Sequence, residues 1–137
     1  MKNQFFLLTI CFALFGLSAC DKEDTNGDDL TTDIIGHYTN AGTNTDIVVN
    51  KVDDTTVSIA LTTGSGSGYL SVAFPDVDMT SATAFTLNTA TGSDCGGTAT
   101  YSGTGTSSNG NISLFITIVN TGGGCDGTFT RSVSASK

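Results

Sequence analysis

The sequence predicts an all-β domain, an antiparallel meander of about eight strands, in residues 34–137. The chain contains 24 Thr, 17 Gly and one Pro, and Thr favours strands whereas Gly favours the turns between them. After residue 34, apolar side chains recur at every second position, which is the period of a strand with one buried face. The connections between these segments are short, so neighbouring strands are expected to run antiparallel.

Residues 1–19 have the pattern of a cleaved signal peptide. Lys2 provides a positive charge, and the segment from Phe5 to Leu17 is apolar except for Thr9 and Gly16. A helix of that length rises only about 20 Å, which is too short for the roughly 30 Å hydrocarbon layer of a bilayer. Removal of residues 1–19 is therefore expected.

The end of this segment, Leu17-Ser18-Ala19-Cys20, resembles the lipobox of bacterial lipoproteins. In that motif cleavage falls between Ala19 and Cys20, and the thiol of Cys20 takes a diacylglyceryl group and becomes the new N-terminus. Ordinary secretion fits less well, because it favours a small residue three positions before the cut, where Leu17 stands. Two acyl chains hold a protein stably on a bilayer, so the resemblance implies a lipid anchor on Cys20.

Residues 20–33 are expected to form the lipidated start and a disordered acidic tether. Six acids, one base and a single Leu fall between Asp21 and Asp33, so this segment cannot bury enough apolar surface to fold. Lys22-Glu23-Asp24 resembles the export tag that sends lipoproteins of a large Gram-negative phylum to the outer face of the outer membrane. Asp21 instead resembles an enteric inner-membrane retention signal, and a periplasm-facing location is the alternative.

Period-two alternation bounded by turn residues divides the domain at residues 34–137 into eight expected strands. They are Ile34–Thr39, Asp46–Asn50, Thr56–Leu61, Tyr69–Phe74, Ala84–Asn88, Thr98–Ser102, Asn111–Val119 and Thr128–Val133. Phe129 and Val133 are expected to continue one apolar face on the last strand. Eight such strands can close as a small barrel or fold into a two-sheet sandwich, and both remain open.

Asn109-Gly110 indicates a hairpin between the sixth and seventh strands, with a loop longer than the two-residue ideal. Folding that hairpin brings Cys95 close to Val119, and Cys125 lies in the connection that starts at the same end. The other two of the four cysteines are in the leader and at the lipid-bearing position. A disulfide between Cys95 and Cys125 is therefore expected in an exported protein.

The charge balance excludes one class of partner. Residues 20–137 contain 13 acids and 4 bases, a formal charge of −9. Such a chain repels phosphate backbones, so nucleic-acid binding is not expected.

Gly36-His37-Tyr38 at the start of the first strand resembles the Gly-x-Trp opening of lipocalin-like lipoprotein domains, with Tyr in place of Trp. The resemblance implies a barrel that carries a small apolar ligand. Small inward side chains, expected to include Ala60, Ala73 and Ala99, would leave room for that ligand. An interior filled by larger side chains would exclude a carrier; the candidates are Val57, Leu70, Val72, Leu114 and Ile116.

Few side chains form a pattern that is typical of catalysis. His37 is the only histidine and has no acid close to it in sequence, so we expect a solvated residue at the edge of a strand. Asp53-Asp54 and the pair Asp76 and Asp78 could supply an acid and a base or ligate Ca²⁺. Turns favour Asp for its backbone hydrogen bonds in any case.

Three further candidates concern binding and modification. Asp94 and Asp126 each adjoin a cysteine of the expected disulfide and could form a weak Ca²⁺ site. Asp54-Thr55-Thr56 resembles the acceptor sequence for O-glycosylation in the same phylum, with Thr55 as the acceptor. The tyrosines could stack on a sugar, but burial is expected for all three: Tyr38, Tyr69 and Tyr101.

These features favour a non-enzymatic β-domain that is held on the outer membrane by its lipid, faces the cell exterior and acts as a binding or structural component. Besides the membrane, its expected partner is a protein, a glycan or a small apolar ligand, and no cofactor is expected apart from the lipid on Cys20. A lipocalin-like carrier is the alternative, and a hydrolase is the third hypothesis.

Overall fold

A computed structural model describes residues 28–137, in which eight antiparallel strands form one closed barrel in the order β1 to β8. The strands are β1 Gly36–Asn40, β2 Thr45–Lys51, β3 Thr56–Thr63, β4 Leu70–Ser81, β5 Ala84–Asp94, β6 Gly97–Ser108, β7 Asn111–Thr121 and β8 Gly127–Ser136. A 3₁₀ turn at Gly66–Gly68 precedes β4. The predicted all-β class and meander are confirmed, and the sheet closes as a barrel. Within this range no helix has the length and apolar character needed to cross a membrane.

Apolar side chains at alternate positions fill the barrel interior. The five large side chains expected inside are all buried: Val57, Leu70, Val72, Leu114 and Ile116. The expectation for Ala60 and Ala73 was wrong, because these residues are exposed on the outer face, between inward neighbours on the same strands. Only Ala99 of the three expected small side chains is buried.

The hairpin between β6 and β7 is tighter than expected. Ser108 pairs with Asn111, so Asn109 and Gly110 alone form the turn, and both have positive φ angles, 51° and 75°. This is the backbone of a type I′ turn, for which Asn-Gly is the preferred pair. The predicted longer loop was wrong because its Thr, Gly and Ser residues extend β6 to Ser108.

Strands β4 and β5 are also longer than predicted, and each contains a bulge. In β4 the buried positions change phase between Phe74 and Val77, where Pro75 and Asp76 lie outside. In β5 the same change falls between Leu87 and Ala90. Bulges keep apolar side chains inside while an extra residue is accommodated, and they are also the positions within a sheet that tolerate Pro.

The two bulges lie where β4 and β5 separate. The ladder between these strands runs only from Val77 opposite Leu87 to Ser81 opposite Ala84. Beyond it, the Leu70–Phe74 part of β4 pairs with β3 alone, and the Ala90–Asp94 part of β5 pairs with β6 alone. The barrel wall is therefore split along half the length of these strands.

A second short junction closes the ring between β1 and β8. Its one residue pair is Thr39 with Ser136, and the side-chain amide of Asn40 donates to the carbonyl of Ser134 at 3.1 Å. By contrast, β6 and β7 pair over their whole length, from Thr98 to Ser108. The barrel thus consists of two four-stranded halves, β1–β4 and β5–β8, joined by two short ladders.

The N-terminal segment covers one end of the barrel, which we call the proximal end. Ile34 is fully buried, and its carbonyl accepts a hydrogen bond from the hydroxyl of Tyr38 at 2.6 Å. The Asp29 carboxylate accepts from the Thr31 backbone amide at 2.9 Å and from the Lys51 ammonium at 2.6 Å. Asp29 therefore already contacts the barrel, although it belongs to the stretch that the sequence assigned to the tether.

The opposite, distal end carries four connections: residues 41–44, 64–69, 95–96 and 122–126. The amide of Gly64 donates to the carbonyl of Thr43 at 3.1 Å, and the amide of Gly124 donates to the carbonyl of Cys95 at 3.0 Å. These bonds join the loops in two pairs, one pair on each half of the barrel.

Gly105 lies at a tightly packed position of the barrel interior. A Cβ at this position would overlap the ring of Phe85 and lie 2.9 Å from a methyl carbon of Leu114. We expect Gly105→Ala to lower the free energy of unfolding by about 1–3 kcal/mol, the usual cost of overpacking. Urea denaturation checks this. Gly68→Ala is the matched control, because a Cβ there meets nothing within 4 Å; equal stability of the two variants would contradict the prediction.

The contact between Asp29 and Lys51 predicts a pH dependence at the proximal end. The Lys51 ammonium, followed by hydrogen bonds from Thr31, holds the pKa of Asp29 well below its ordinary value of 3.8. A carboxyl whose pKa is lowered by folding stabilises the fold at pH values above its ordinary pKa. This contribution is lost as the pH falls through the lowered pKa of the folded state. We expect Lys51→Met to raise the pKa of Asp29, measured by NMR of its carboxyl carbon. Lys137→Met is the control, and an unshifted pKa in Lys51→Met would refute the assignment.

Candidate functional site

The split between β4 and β5 opens into a groove at the distal end of the barrel, which we call the distal groove. It has a volume of about 530 Å³. Its walls are the start of β4, the end of β5 and the turn that follows β5. The lining residues are Gly66, Tyr69, Leu70, Ser71, Ser93, Asp94, Cys95, Gly96 and Tyr101.

Two tyrosines meet at this groove. Tyr69 follows the 3₁₀ turn, lies outside the β4 ladder and is 56% exposed, so the expectation that it is buried was wrong. Tyr101 is buried in the groove wall, and its ring lies over Gly92, where a Cβ would come within 3.1 Å of the ring. Gly92 thus provides the space for the Tyr101 ring. Tyr38 is buried, as expected, at the other end.

Asp94 brings a carboxylate to the groove. The side-chain amide of Asn120 donates to one carboxylate oxygen of Asp94 at 2.9 Å. Asn120 is only 4% exposed, and its own carbonyl oxygen accepts no hydrogen bond from residues 28–137. Burial and then the negative charge of Asp94 raise the pKa of Tyr101 above its ordinary value of 10.0, so both effects favour the neutral phenol. The groove therefore combines an anionic acceptor with a neutral hydroxyl donor.

The disulfide between Cys95 and Cys125 confirms the prediction. Their Cα atoms are 5.9 Å apart, within the usual range for a bridge. It joins the β5–β6 turn, one wall of the distal groove, to the β7–β8 loop. Asp126 is exposed beside Cys125, whereas Asp94 is engaged with Asn120. In the part of the chain that the structure describes, no three His, Cys, Asp or Glu side chains group closely enough to hold a metal ion.

The other candidate acids and the histidine lie outside this groove. His37 Nε2 is 2.7 Å from a carboxylate oxygen of Asp46, and both side chains are more than half exposed. This partner is not evident from the sequence, because the β1–β2 hairpin brings it across from the next strand. Asp76 and Asp78 are exposed on β4, where Asp78 accepts from the amide of Asn88 at 2.9 Å.

Thr55 lies at the proximal end, in the turn between β2 and β3, and is exposed. Its backbone amide and hydroxyl donate to the Asp53 carboxylate at 2.8 and 3.1 Å, and the backbone bond lowers the pKa of Asp53. Asp54 forms an ion pair with Lys51. These acids therefore stabilise the turn. The lipobox Leu17–Cys20, including the cleavage pair Ala19 and Cys20, and the export tag Lys22–Asp24 lie outside the described residues.

A second cleft of about 310 Å³ lies at the junction of β8 with β1 and β2. It contains the hydroxyls of Thr43, Thr45 and Thr63, which are linked in a chain at 2.8 and 2.7 Å, and the partly buried Arg131. Phe129 is on the inward face of β8, as expected, but it lies near the distal rim and is 46% exposed. Both short junctions of the barrel therefore open toward the same end.

Comparison with protein-family models, with curated proteins and with solved structures gives no match to this chain.

The disulfide predicts a measurable part of the stability. The two cysteines are 30 positions apart in the sequence, and closing a loop of that length contributes about 3.7 kcal/mol in the chain-entropy model. We expect the double variant Cys95→Ser, Cys125→Ser to lose that amount in urea denaturation. Reductant should lower the stability of the unsubstituted protein to the same level and leave the variant unchanged. A variant as stable as the oxidised protein would contradict the prediction.

Proposed function

We propose that this protein is a lipid-anchored, non-enzymatic binding component displayed on the outer face of the bacterial outer membrane. The anchor is the lipid on Cys20, the export tag is Lys22-Glu23-Asp24, and the distal end of the barrel is the surface that meets a partner. The sequence of the leader supports the anchor, and the arrangement of the two barrel ends supports the role of the distal end.

The observation that carries this proposal is the separation of tether and groove. The N-terminal segment contacts the barrel at the proximal end, through Asp29, Ile34 and Lys51. The distal groove and the disulfide lie at the opposite end of the strands. A lipid attached upstream of Asp29 would hold the proximal end toward the membrane and leave the groove accessible from the exterior.

The packed interior favours binding at the surface rather than inside the barrel. The side chains that point inward include Phe74, Phe85 and Leu114, all of which are less than 2% exposed. A carrier of an apolar ligand needs a lined internal cavity of several hundred Å³. His37 supports a non-enzymatic role, since it lies on the outer wall beside Asp46 and away from the groove.

Lipidation is tested on the whole chain in a Gram-negative host of the appropriate phylum. We expect mass spectrometry to find an acylated N-terminal peptide that begins at Cys20. Cys20→Ala should abolish acylation and release the protein from the membrane fraction, because the anchor holds through its acyl chains. An unacylated N-terminus would refute the anchor, and so would a Cys20→Ala variant that lacks residues 1–19 and still stays in the membrane fraction.

The orientation is tested separately, by protease treatment of intact cells. We expect the protein to be digested. The triple variant Lys22→Ala, Glu23→Ala, Asp24→Ala should be acylated but protected. Digestion of both proteins would refute the role of the export tag. Protection of both would refute surface display and favour the periplasm-facing alternative.

A further inference from the structure

We propose that the distal groove binds a short segment of a neutral glycan, with Tyr69 as the stacking surface and Asp94 as the acceptor for sugar hydroxyls. This inference rests on the proposed function for its setting, since display at the cell surface exposes the groove to polysaccharides. The shape of the groove, its exposed aromatic side chain and its hydrogen-bonding groups support binding of a glycan.

The shape follows from the backbone. The bulges in β4 and β5 end the ladder between these strands, and the space beyond it has a volume of about 530 Å³. Ligand pockets commonly have volumes of about 300–1,000 Å³. Because the groove is open at the distal end and bounded by two strands, it can accommodate part of a longer chain of sugar units.

Tyr69 provides an exposed aromatic side chain at the rim of this groove. More than half of its surface is exposed, and no strand pairing holds it, because β4 begins at the next residue. An aromatic ring offers a large apolar contact at a low cost in side-chain entropy, and its phenol provides a polar group beside that contact. A sugar ring has the complementary character, with apolar C–H groups on its faces and hydroxyls around its edge.

Asp94 and its neighbours provide the polar contacts. Asn120 donates to one oxygen of the Asp94 carboxylate, which orients the group and leaves the second oxygen available to accept from a hydroxyl. Hydrogen bonds to a charged acceptor are roughly twice as strong as neutral ones. Tyr101 adds a neutral hydroxyl, and Ser71 and Ser93 add two more at the lining. This set matches a ligand with many hydroxyls, each of which both donates and accepts.

The same groups disfavour other ligands. None of the lining residues is a Lys, Arg or His, and Asp94 would repel the carboxylates or sulfates of an acidic polysaccharide. The lining contains one aliphatic side chain, Leu70, which is buried, so an apolar ligand would find little to contact.

The test uses the full chain, purified in detergent from whole-cell extracts and labelled with ¹⁵N. The probes are neutral hexasaccharides of glucose, mannose and N-acetylglucosamine, an acidic hexasaccharide of galacturonic acid, and a neutral Ser/Thr/Gly decapeptide. We expect at least one neutral hexasaccharide to bind and to shift the amide resonances of Leu70, Ser71 and Asp94 in NMR titrations. The galacturonic acid probe should bind at least about tenfold more weakly, owing to the charge of Asp94.

Three variants assign the contacts. We expect Tyr69→Ala and Asp94→Asn each to weaken binding about tenfold or more, whereas Tyr69→Phe should retain binding within about threefold, because the ring is kept. Phe115→Ala is the matched control, since Phe115 is an aromatic side chain 50% exposed on β7, outside the groove; its affinity should be unchanged. Amide resonances that change only near the substituted residue confirm that the fold of each variant is intact.

The inference would be overturned if no neutral saccharide binds at millimolar concentration, or if the peptide binds more tightly than the saccharides. It would also be overturned if the shifted amides lie away from the groove, or if both Tyr69→Ala and Asp94→Asn retain full affinity. Because binding is measured in detergent, it does not depend on the anchor. An unacylated Cys20 with intact saccharide binding would refute the proposed location alone, and an acylated protein without saccharide binding would refute this inference alone.

Discussion

Packing of apolar side chains across the barrel interior is the interaction on which the rest of the structure depends. Backbone hydrogen bonds hold each four-stranded half together, but they join the halves only at Thr39 with Ser136 and along the short ladder that starts at Val77. Side chains from both halves, such as Phe74 and Leu114, are fully buried against the shared core. Apolar burial contributes about 25 cal/mol for each Å² removed from water, and each hydrogen bond has a net contribution of about 1 kcal/mol. Because the two junctions contain few hydrogen bonds and the buried core is shared by both halves, the core decides whether the ring stays closed.

The same packing explains how a groove can form beside a barrel interior that is filled by buried side chains. The bulges at Pro75 and after Leu87 end one ladder, and the phase change at each bulge returns the next apolar residue to the interior. The core therefore continues beneath the split, and the opening above it is lined by residues near the strand ends, including Ser71 and Asp94. The disulfide then joins the turn beside Asp94 to the β7–β8 loop, which limits how far this wall can move.

The sequence predicted the class, the number of strands and the disulfide because each depends on local or compositional signals. Alternation identified Val57 and Ile116 as interior residues, and the Asn109-Gly110 turn located a hairpin that brings Cys95 toward Cys125. The end of β6 was missed where Thr and Gly alternate after Tyr101. Such residues are as common in loops as in strands, and only pairing with a neighbouring strand shows that they belong to the sheet. The groove was missed for a different reason. Tyr69 directly precedes β4 and Asp94 ends β5, and the separation of these two strands depends on two bulges, whose positions are set by pairing across strands.

The contacts at the proximal end determine from which end of the barrel the tether leaves, which the sequence of the tether alone does not show. A tether that joined the barrel at a freely rotating residue would let the domain present any face to the membrane. Here Ile34 is buried in the core and Asp29 is paired with Lys51, so the chain leaves the barrel from its proximal end. The acids that flank this exit, Asp53 and Asp54 among them, would be repelled by anionic head groups. Under the proposed anchoring, attachment brings the proximal end closest to the bilayer. The charge of these acids keeps that end from settling onto the head groups. The distal groove is then the part of the domain farthest from the lipid.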